Sequence, residues 1–175
     1  MHDLIFYLAY GSNLHPERML RRVPSARHLG TVYLEGWSLC FNKLGKDGSA
    51  KCNIMPCPGE DNGVYAALYE LSRSEKIQLD KAEGGYRICH ITAKLGGRSY
   101  KTFTYVAEVQ HIDHSCVPYE WYRDLVLMGA WFNEFPDSYI AHIESFDVAQ
   151  DRDLERHARN RVILDAIYEQ ISELS

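Results

Sequence analysis

The apolar positions in the first two thirds of the chain fall in short runs of the kind that form β-strands. The run from Ile5 to Tyr10 is aromatic and aliphatic and stops at Gly11, which predicts a buried strand that ends in a loop. Four further segments predict strands: residues 31–43, 62–71, 86–95 and 99–107. Because Gly-Gly-Arg separates the last two, they are expected to form a hairpin.

Helical patterns dominate the last third of the chain. Two short helices are predicted earlier, at residues 15–22 and 72–83; Ser72 and Glu75 have capping-box spacing at the start of the second one. Later helices are predicted after Pro118 to about Asn133, after Pro136, and from Asp151 onward. Strands followed by helices, rather than alternating with them, predict the α+β class.

The C-terminal segment carries an apolar stripe at helical spacing, formed by Leu164, Ile167, Ile171 and Leu174. We expect this stripe to pack on the parent domain, and a contact in a homodimer is the alternative. The sequence therefore predicts one domain over residues 1–145 with a helical extension over residues 146–175 that packs on it. Either a monomer or a homodimer fits this organisation.

Composition excludes several classes of function. The 175 residues are 46% apolar and 25% charged, with a formal net charge of −5 and a pI of about 5.9. The largest basic cluster is Arg18, Arg21 and Arg22, so a nucleic-acid partner is not expected. The longest apolar run, residues 125–132, is too short to cross a bilayer, and the N-terminus lacks a signal-peptide pattern.

These features predict a soluble cytoplasmic protein without a membrane partner. The five cysteines are an odd number scattered through the chain, which favours reduced thiols over a disulfide framework.

The Gly11-Ser12-Asn13 segment is the first candidate for chemistry. A strand that ends in these residues and leads into a helix exposes several backbone N–H groups in one place, which suits a carboxylate or a developing oxyanion. The alternative is an ordinary turn in which Ser12 or Asn13 caps the helix.

Glu83 is the second candidate. It is predicted at the C-terminal end of its helix, where the helix dipole disfavours a carboxylate, and two glycines follow it. These conditions would raise the carboxyl pKa toward the range of a general base. The alternative is an exposed residue at a helix end.

Two other arrangements are less favoured. The "HIDHSC" and "CNIMPC" segments contain His111, His114 and Cys116, and Cys52 and Cys57, but their spacing does not match common zinc sites, so no metal site is predicted. Ser12 with His15 as its base lacks the G-x-S-x-G frame and a third orienting group. Ser12 is therefore interpreted as a hydrogen-bond donor.

Four segments occur in the order found in one known family: "YLAYGSNL", "GVYAALYEL", "LDKAEGGYR" and "YRDLVLMGA". Over about residues 5–132 the chain resembles the γ-glutamylcyclotransferase family. The resemblance implies a mixed, partly closed β-sheet or barrel core flanked by helices. It also implies an enzyme that needs no cofactor and releases 5-oxoproline from a small-molecule γ-glutamyl amine or γ-glutamyl amino acid.

The resemblance also assigns roles to residues. Glu83 matches the acid/base of the family's Glu-Gly motif. Tyr122 matches a tyrosine that lines the pocket, with Tyr119 as a competing match. The family's substrate-binding loop is matched by Tyr7, Leu8, Ala9, Tyr10, Gly11 and Ser12, and Asn13, directly after it, is also predicted to bind substrate.

Two alternatives to this function stay open. One is a non-catalytic module that binds a small carboxylate, and the other is a cyclotransferase for a specialised γ-glutamyl conjugate. Specificity for the leaving amine is expected to lie in loops such as residues 43–50 and 108–118.

Overall fold

The computed structural model describes residues 3–59 and 63–173. It contains seven strands and five helices in these residues. The strands are β1 (Leu4–Ala9), β2 (Arg27–Glu35), β3 (Trp37–Leu44), β4 (Ala50–Pro56), β5 (Gly63–Ser72), β6 (Tyr86–Leu95) and β7 (Arg98–Ala107). The helices are α1 (Pro16–Arg22), α2 (Lys76–Ala82), α3 (Glu120–Phe132), α4 (Asp137–Glu144) and α5 (Leu154–Glu173).

Five strands form one mixed sheet in the order β2-β5-β1-β7-β6. β1 pairs with β7 in parallel, and the other pairs in this sheet are antiparallel. The outer strands β2 and β6 also contact each other, with Gly30 of β2 lying against the side chain of Leu95 of β6, so the sheet curls into a partly closed barrel. The predicted α+β class is confirmed, as is the partly closed sheet.

Strand β1 lies at the centre of this sheet. Its last three residues are buried, and the Leu8 carbonyl accepts a hydrogen bond from the Thr104 hydroxyl at 2.8 Å. A separate ribbon formed by β3 and β4 packs beside the sheet and contacts β5 and β7. The chain therefore leaves β1 directly between the sheet and the ribbon.

The segment after β1 is fixed by close backbone packing. A Cβ atom built on Gly129 of α3 would lie 2.3 Å from the Leu14 Cβ and 3.0 Å from the His15 nitrogen, so only a glycine permits this approach. The Leu14 carbonyl accepts hydrogen bonds from the Tyr69 hydroxyl at 2.8 Å and the Asn133 side chain at 3.2 Å. Strand β5 and helix α3 thus hold the same short stretch of backbone.

Several predicted elements differ in detail from the structure. Residues 31–43 were predicted as one strand, but the chain turns at Gly36, which has a φ of +77°, and continues as β3. Strand β4 was not predicted. The Ser72 capping box was wrong: Ser72 ends β5, its hydroxyl bonds the Ser74 hydroxyl at 2.8 Å, and a single 3-10 turn precedes α2.

Helix α5 contacts α1 and α3. Of its predicted stripe, Leu164 and Ile167 are fully buried, whereas Ile171 is 46% exposed and Leu174 lies outside the described residues. The Asp151 carboxylate accepts hydrogen bonds from Trp121 Nε1 at 2.9 Å and Arg156 Nε at 2.7 Å, which fixes the start of the helix. The division of the chain at residue 145 stays a prediction.

We expect the Gly129→Ala substitution to destabilise the protein. Alanine in a helix interior normally gains about 1 kcal/mol over glycine. Here the added methyl group overlaps Leu14 and backbone atoms, and such overpacking costs about 1–3 kcal/mol. Urea unfolding should show a lower midpoint, with Gly84→Ala as the control because a Cβ there meets only the flexible Lys46 side chain, at 3.8 Å. A Gly129→Ala protein at least as stable as the wild type would contradict this packing.

Candidate functional site

Glu83 lies at the junction of α2 and β6. Its backbone N–H donates to the Leu79 carbonyl at 3.0 Å, as the last bond of the helix. Two residues later, Gly85 takes a φ of +84°, and a Cβ built there would lie 3.0 Å from the His111 ring and 3.1 Å from Lys43. Gly85 therefore has both a conformational and a steric reason to be glycine, whereas Gly84 does not.

The Glu83 side chain points inward and is only 15% exposed. Its Oε1 accepts a hydrogen bond from Asn13 Nδ2 at 3.3 Å and lies 3.5 Å from an Arg22 guanidinium nitrogen. Arg22 also donates to Asn13 Oδ1 at 2.9 Å, and Asn13 Nδ2 donates to the Tyr7 hydroxyl at 3.1 Å. Residues from β1, the loop after it, α1 and the end of α2 thus meet at one carboxylate.

The pKa of Glu83 is raised above its ordinary value, chiefly because the carboxyl group is buried. The Arg22 guanidinium and the Lys43 ammonium favour the ionised form and offset part of this rise in the pKa. The raised pKa of Glu83 agrees in direction with the prediction from the sequence, but its main cause is burial and not the position of Glu83 at the helix terminus. A carboxylate in this setting can accept and return a proton nearer to neutral pH than an exposed one.

The loop after β1 packs tightly on the ribbon. A Cβ on Gly11 would lie 2.8 Å from the Cys52 Cβ, so the backbone approaches β4 as closely as a glycine allows. Ser12 is 9% exposed, and neither its N–H nor its hydroxyl has a hydrogen-bond partner among the described residues. Ser12 therefore retains two donors at the wall of the site.

The alternative interpretation, in which Ser12 or Asn13 caps the first helix, is wrong. The His15 side chain, and not Ser12 or Asn13, accepts the Glu17 N–H at 3.1 Å. Burial lowers the pKa of His15 to about 4. Because its ring serves as a helix cap, His15 is not placed to act as a base for Ser12.

A small inner cavity of about 30 Å³, the room of about one water molecule, lies between the loop and Glu83. Five tyrosines are among the residues that line it. These are Tyr7, Tyr10, Tyr86, Tyr105 and Tyr122, together with Gly11, Ser12, Asn13, Cys52 and Glu83. Most of the residues that the sequence singled out thus surround one space.

Two of the predicted loop residues do not reach this space. Leu8 and Ala9 are fully buried within β1 and do not line the cavity. Of the two competing tyrosines, Tyr122 lines it and accepts the Cys52 N–H at 3.0 Å. The Tyr119 hydroxyl instead donates to the Asp47 carbonyl at 3.1 Å and lines neither the inner cavity nor the cleft beside it.

A larger cleft of about 330 Å³ adjoins the inner cavity and shares Ser12, Glu83, Tyr86 and Tyr122 with it as lining residues. Its charged lining is mostly basic. The basic residues are Arg18, Arg22, Lys43, Lys46, Lys51 and Lys81, and the acidic ones are Asp47 and Glu83. The loop at residues 43–50, which the sequence expected to set specificity, contributes to this cleft, but residues 108–118 do not.

Sequence reasoning missed three contributors to the site. Tyr86 directly follows the two glycines, and its hydroxyl donates to the Cys52 carbonyl at 2.6 Å. Lys43 donates to the Gly84 carbonyl at 2.7 Å and lies over the Tyr86 ring. Arg22 belonged to a basic cluster that was considered only as a nucleic-acid signal. The aromatic residue directly after Gly85 was the one local signal that could have been used.

Outside this site, the molecule offers no comparable grouping of the predicted residues in the part of the chain that the structure describes. A cavity of about 810 Å³ beside β1, β6 and β7 is larger, but no carboxylate and none of the predicted site residues lines it. Over residues 3–59 and 63–173, no three His, Cys, Asp or Glu side chains are grouped to hold a metal ion. None of the described helices has both the length and the apolar character needed to cross a membrane.

Sequence comparisons connect this geometry to known proteins. The family model "Gamma-glutamyl cyclotransferase, AIG2-like" matches residues 7–124. The gamma-glutamylcyclotransferase of Homo sapiens is 28% identical over 153 residues, which cover 83% of this chain and 80% of that protein. The Bos taurus protein of the same name is 29% identical over 160 residues, with the same coverage.

Solved structures share the fold. A structure titled "Gamma-glutamyl cyclotransferase" superposes with a TM-score of 0.77 at 21% identity, covering 95% of this chain and 99% of that one. YkqA from Bacillus subtilis gives a TM-score of 0.70 at 22% identity, covering 84% of this chain and 56% of that one. At these identities the likeness shows the fold alone.

The raised pKa of Glu83 predicts a pH-dependent effect on stability. A carboxyl group whose pKa is higher in the folded state binds more protons there than in the unfolded state, so its ionisation destabilises the fold as pH rises from about 4.5 through the folded-state pKa. Glu83→Gln removes this ionisation. The free energy of unfolding of Glu83→Gln, minus that of the wild type, should therefore increase between about pH 4 and pH 8.

Urea titrations over this pH range measure the difference, with Glu144→Gln as a matched control at an exposed position of α4. A difference that is constant with pH, or that decreases as pH rises, would contradict the raised pKa.

Proposed function

The chain belongs to the gamma-glutamyl cyclotransferase, AIG2-like family, and from this premise we propose that it cyclises a γ-glutamyl amine or γ-glutamyl amino acid, with release of 5-oxoproline and a free amine. The observation that carries the proposal is the buried Glu83 carboxylate, which shares one cavity with the loop after β1 and is hydrogen-bonded to Asn13 of that loop.

The proposed reaction balances with protein groups alone. The substrate's α-ammonium loses a proton to the Glu83 carboxylate, and the resulting amine attacks the γ-carbonyl carbon. A carbon–nitrogen bond forms to close the five-membered lactam, and the bond to the leaving amine breaks. Glu83 returns this proton to the leaving nitrogen. The attacking nitrogen then loses its second proton by the same route, so the lactam keeps one N–H and the amine departs as an ammonium. A single carboxyl group thus acts alternately as base and as acid. Holding the glutamyl chain folded supplies proximity between amine and carbonyl.

Neutral hydroxyl groups are suited to stabilise the oxygen of the attacked carbonyl. Burial raises the pKa of both Tyr7 and Tyr122, so these phenols stay protonated and can donate. Their oxygens already accept bonds from Asn13 and from the Cys52 N–H, which fixes the rings in place. The two free donors of Ser12 lie in the same wall, and such preorganised donors are most effective where water is excluded.

The cavity and the cleft suggest how the substrate lies. The inner cavity alone is too small for a glutamyl group, so a bound substrate would extend from it into the adjoining cleft. Because Glu83 lines both spaces, the scissile amide would lie at their junction, with the leaving amine on the cleft side. This placement puts one carboxylate within reach of both nitrogens.

We expect Glu83→Gln to abolish most of the 5-oxoproline release, because an amide cannot take the proton from the α-ammonium. The expected loss in kcat is about 10²-fold to 10⁴-fold, the usual contribution of general acid–base catalysis. The measurement is 5-oxoproline formation from a panel of γ-glutamyl amino acids and amines, with Glu144→Gln as the control, since Glu144 is exposed and lines neither cavity.

Full activity of Glu83→Gln would refute the assigned role of this residue. If the wild type releases no 5-oxoproline from any substrate of the panel but is stabilised against heat by a small dicarboxylate, the chain is a binding module and the proposed reaction is wrong.

A further inference from the structure

The cleft beside Glu83 concentrates positive charge in an acidic protein. Six of the chain's 19 lysines and arginines line it, against two of its 24 aspartates and glutamates, while the whole chain has a formal charge of −5. A narrow cleft lined by one sign of charge focuses the field and raises the local concentration of an oppositely charged ligand.

Some of these cations already have partners. Lys51 forms an ion pair with Asp47 at 2.7 Å, and Arg22 is held by Asn13 and Glu83. Lys43 is bound to the Gly84 carbonyl, which carries no formal charge. The protein's own groups therefore neutralise only part of the charge in the cleft.

Three cations remain incompletely satisfied. Lys46 and Lys81 are exposed at the rim and form no ion pair or hydrogen bond among the described residues. Deeper in the cleft, Arg18 donates to Asn160 Oδ1 at 3.3 Å, but its Nε is buried without a hydrogen-bond partner in the described part of the chain. A buried donor without a partner is uncommon in folded proteins.

Crowding among these cations points the same way. Burial and the neighbouring Arg22 lower the pKa of Arg18 to about 10. Burial also lowers the pKa of Lys43; the nearby Lys51 and Lys46 add to that shift, and the Glu83 and Asp47 carboxylates oppose it. An anion in the cleft would relieve this like-charge repulsion.

We infer that the cleft selects γ-glutamyl conjugates whose leaving amine carries a second anionic group, beyond the single carboxylate of a neutral amino acid. The inference rests on the proposed function, because it places the leaving amine on the cleft side of Glu83. Lys46 and Lys81, which have no acidic partner, are the specificity-determining residues for that second group, and an acidic amino acid is the substrate class that fits.

The test uses two substrates of nearly equal shape, γ-glutamylglutamate and γ-glutamylglutamine, which differ by one carboxylate. The ratio of their kcat/KM values for 5-oxoproline release should favour the glutamate compound by about threefold to tenfold at low salt, as expected for one or two solvent-exposed ion pairs. Raising the salt concentration from about 20 mM to about 300 mM should reduce this ratio, because salt screens exposed charges.

The double substitution Lys46→Gln with Lys81→Gln should bring the ratio close to one. The matched control is Lys94→Gln with Lys101→Gln, which removes the same charge from exposed positions of β6 and β7 outside the cleft and should keep the wild-type ratio.

The outcomes distinguish a failure of the proposed specificity from a failure of the proposed cyclotransferase activity. Equal or faster turnover of γ-glutamylglutamine by the wild type overturns the inference and leaves the cyclotransferase proposal standing. A preference that survives the cleft substitutions also overturns it, because the charge then acts elsewhere. Failure to release 5-oxoproline from either compound, and from the wider panel, overturns both.

Discussion

The arrangement of the site depends on the cost of burying one carboxylate. An ionised carboxyl group removed from water is costly unless cations or hydrogen-bond donors surround it. In this protein the compensating groups come from separate elements: Asn13 from the loop after β1, Arg22 from α1 and Lys43 from β3. Because they offset the cost only in part, the carboxyl group keeps a raised pKa, and the same balance that holds Glu83 in place suits it to exchange protons.

Such a balance requires the loop to be held in one position. Glycines fix it on two sides: Gly11 lets the backbone approach β4, and Gly129 lets α3 approach Leu14. Hydrogen bonds to the Leu14 carbonyl from β5 and from the end of α3 complete the support. The curled sheet, the ribbon and the third helix therefore all hold the loop after β1 in place. The polar network around Glu83 depends on this fixed position of the loop.

The sequence predicted the parts of the site that have a local signature. The strand that ends at Gly11, and Glu83 before two glycines, were recognisable because glycine marks positions where the backbone must turn or approach another chain segment. The split of residues 31–43 at Gly36, and the contributions of Arg22, Lys43 and Tyr86, depend on contacts between distant elements. The basic cleft was least predictable: its lysines and arginines are spread from residue 18 to residue 81, and a net acidic composition conceals them.

The small volume of the tyrosine-lined cavity bears on the competition between ring closure and hydrolysis of the substrate. Water can hydrolyse a γ-glutamyl amide to glutamate, or the substrate's own α-amine can cyclise it to the lactam. Both reactions begin with attack on the γ-carbonyl carbon. The cavity has room for about one water molecule when no substrate is bound. The part of a glutamyl group that entered it would displace that water, and for the proposed reaction this favours ring closure over hydrolysis.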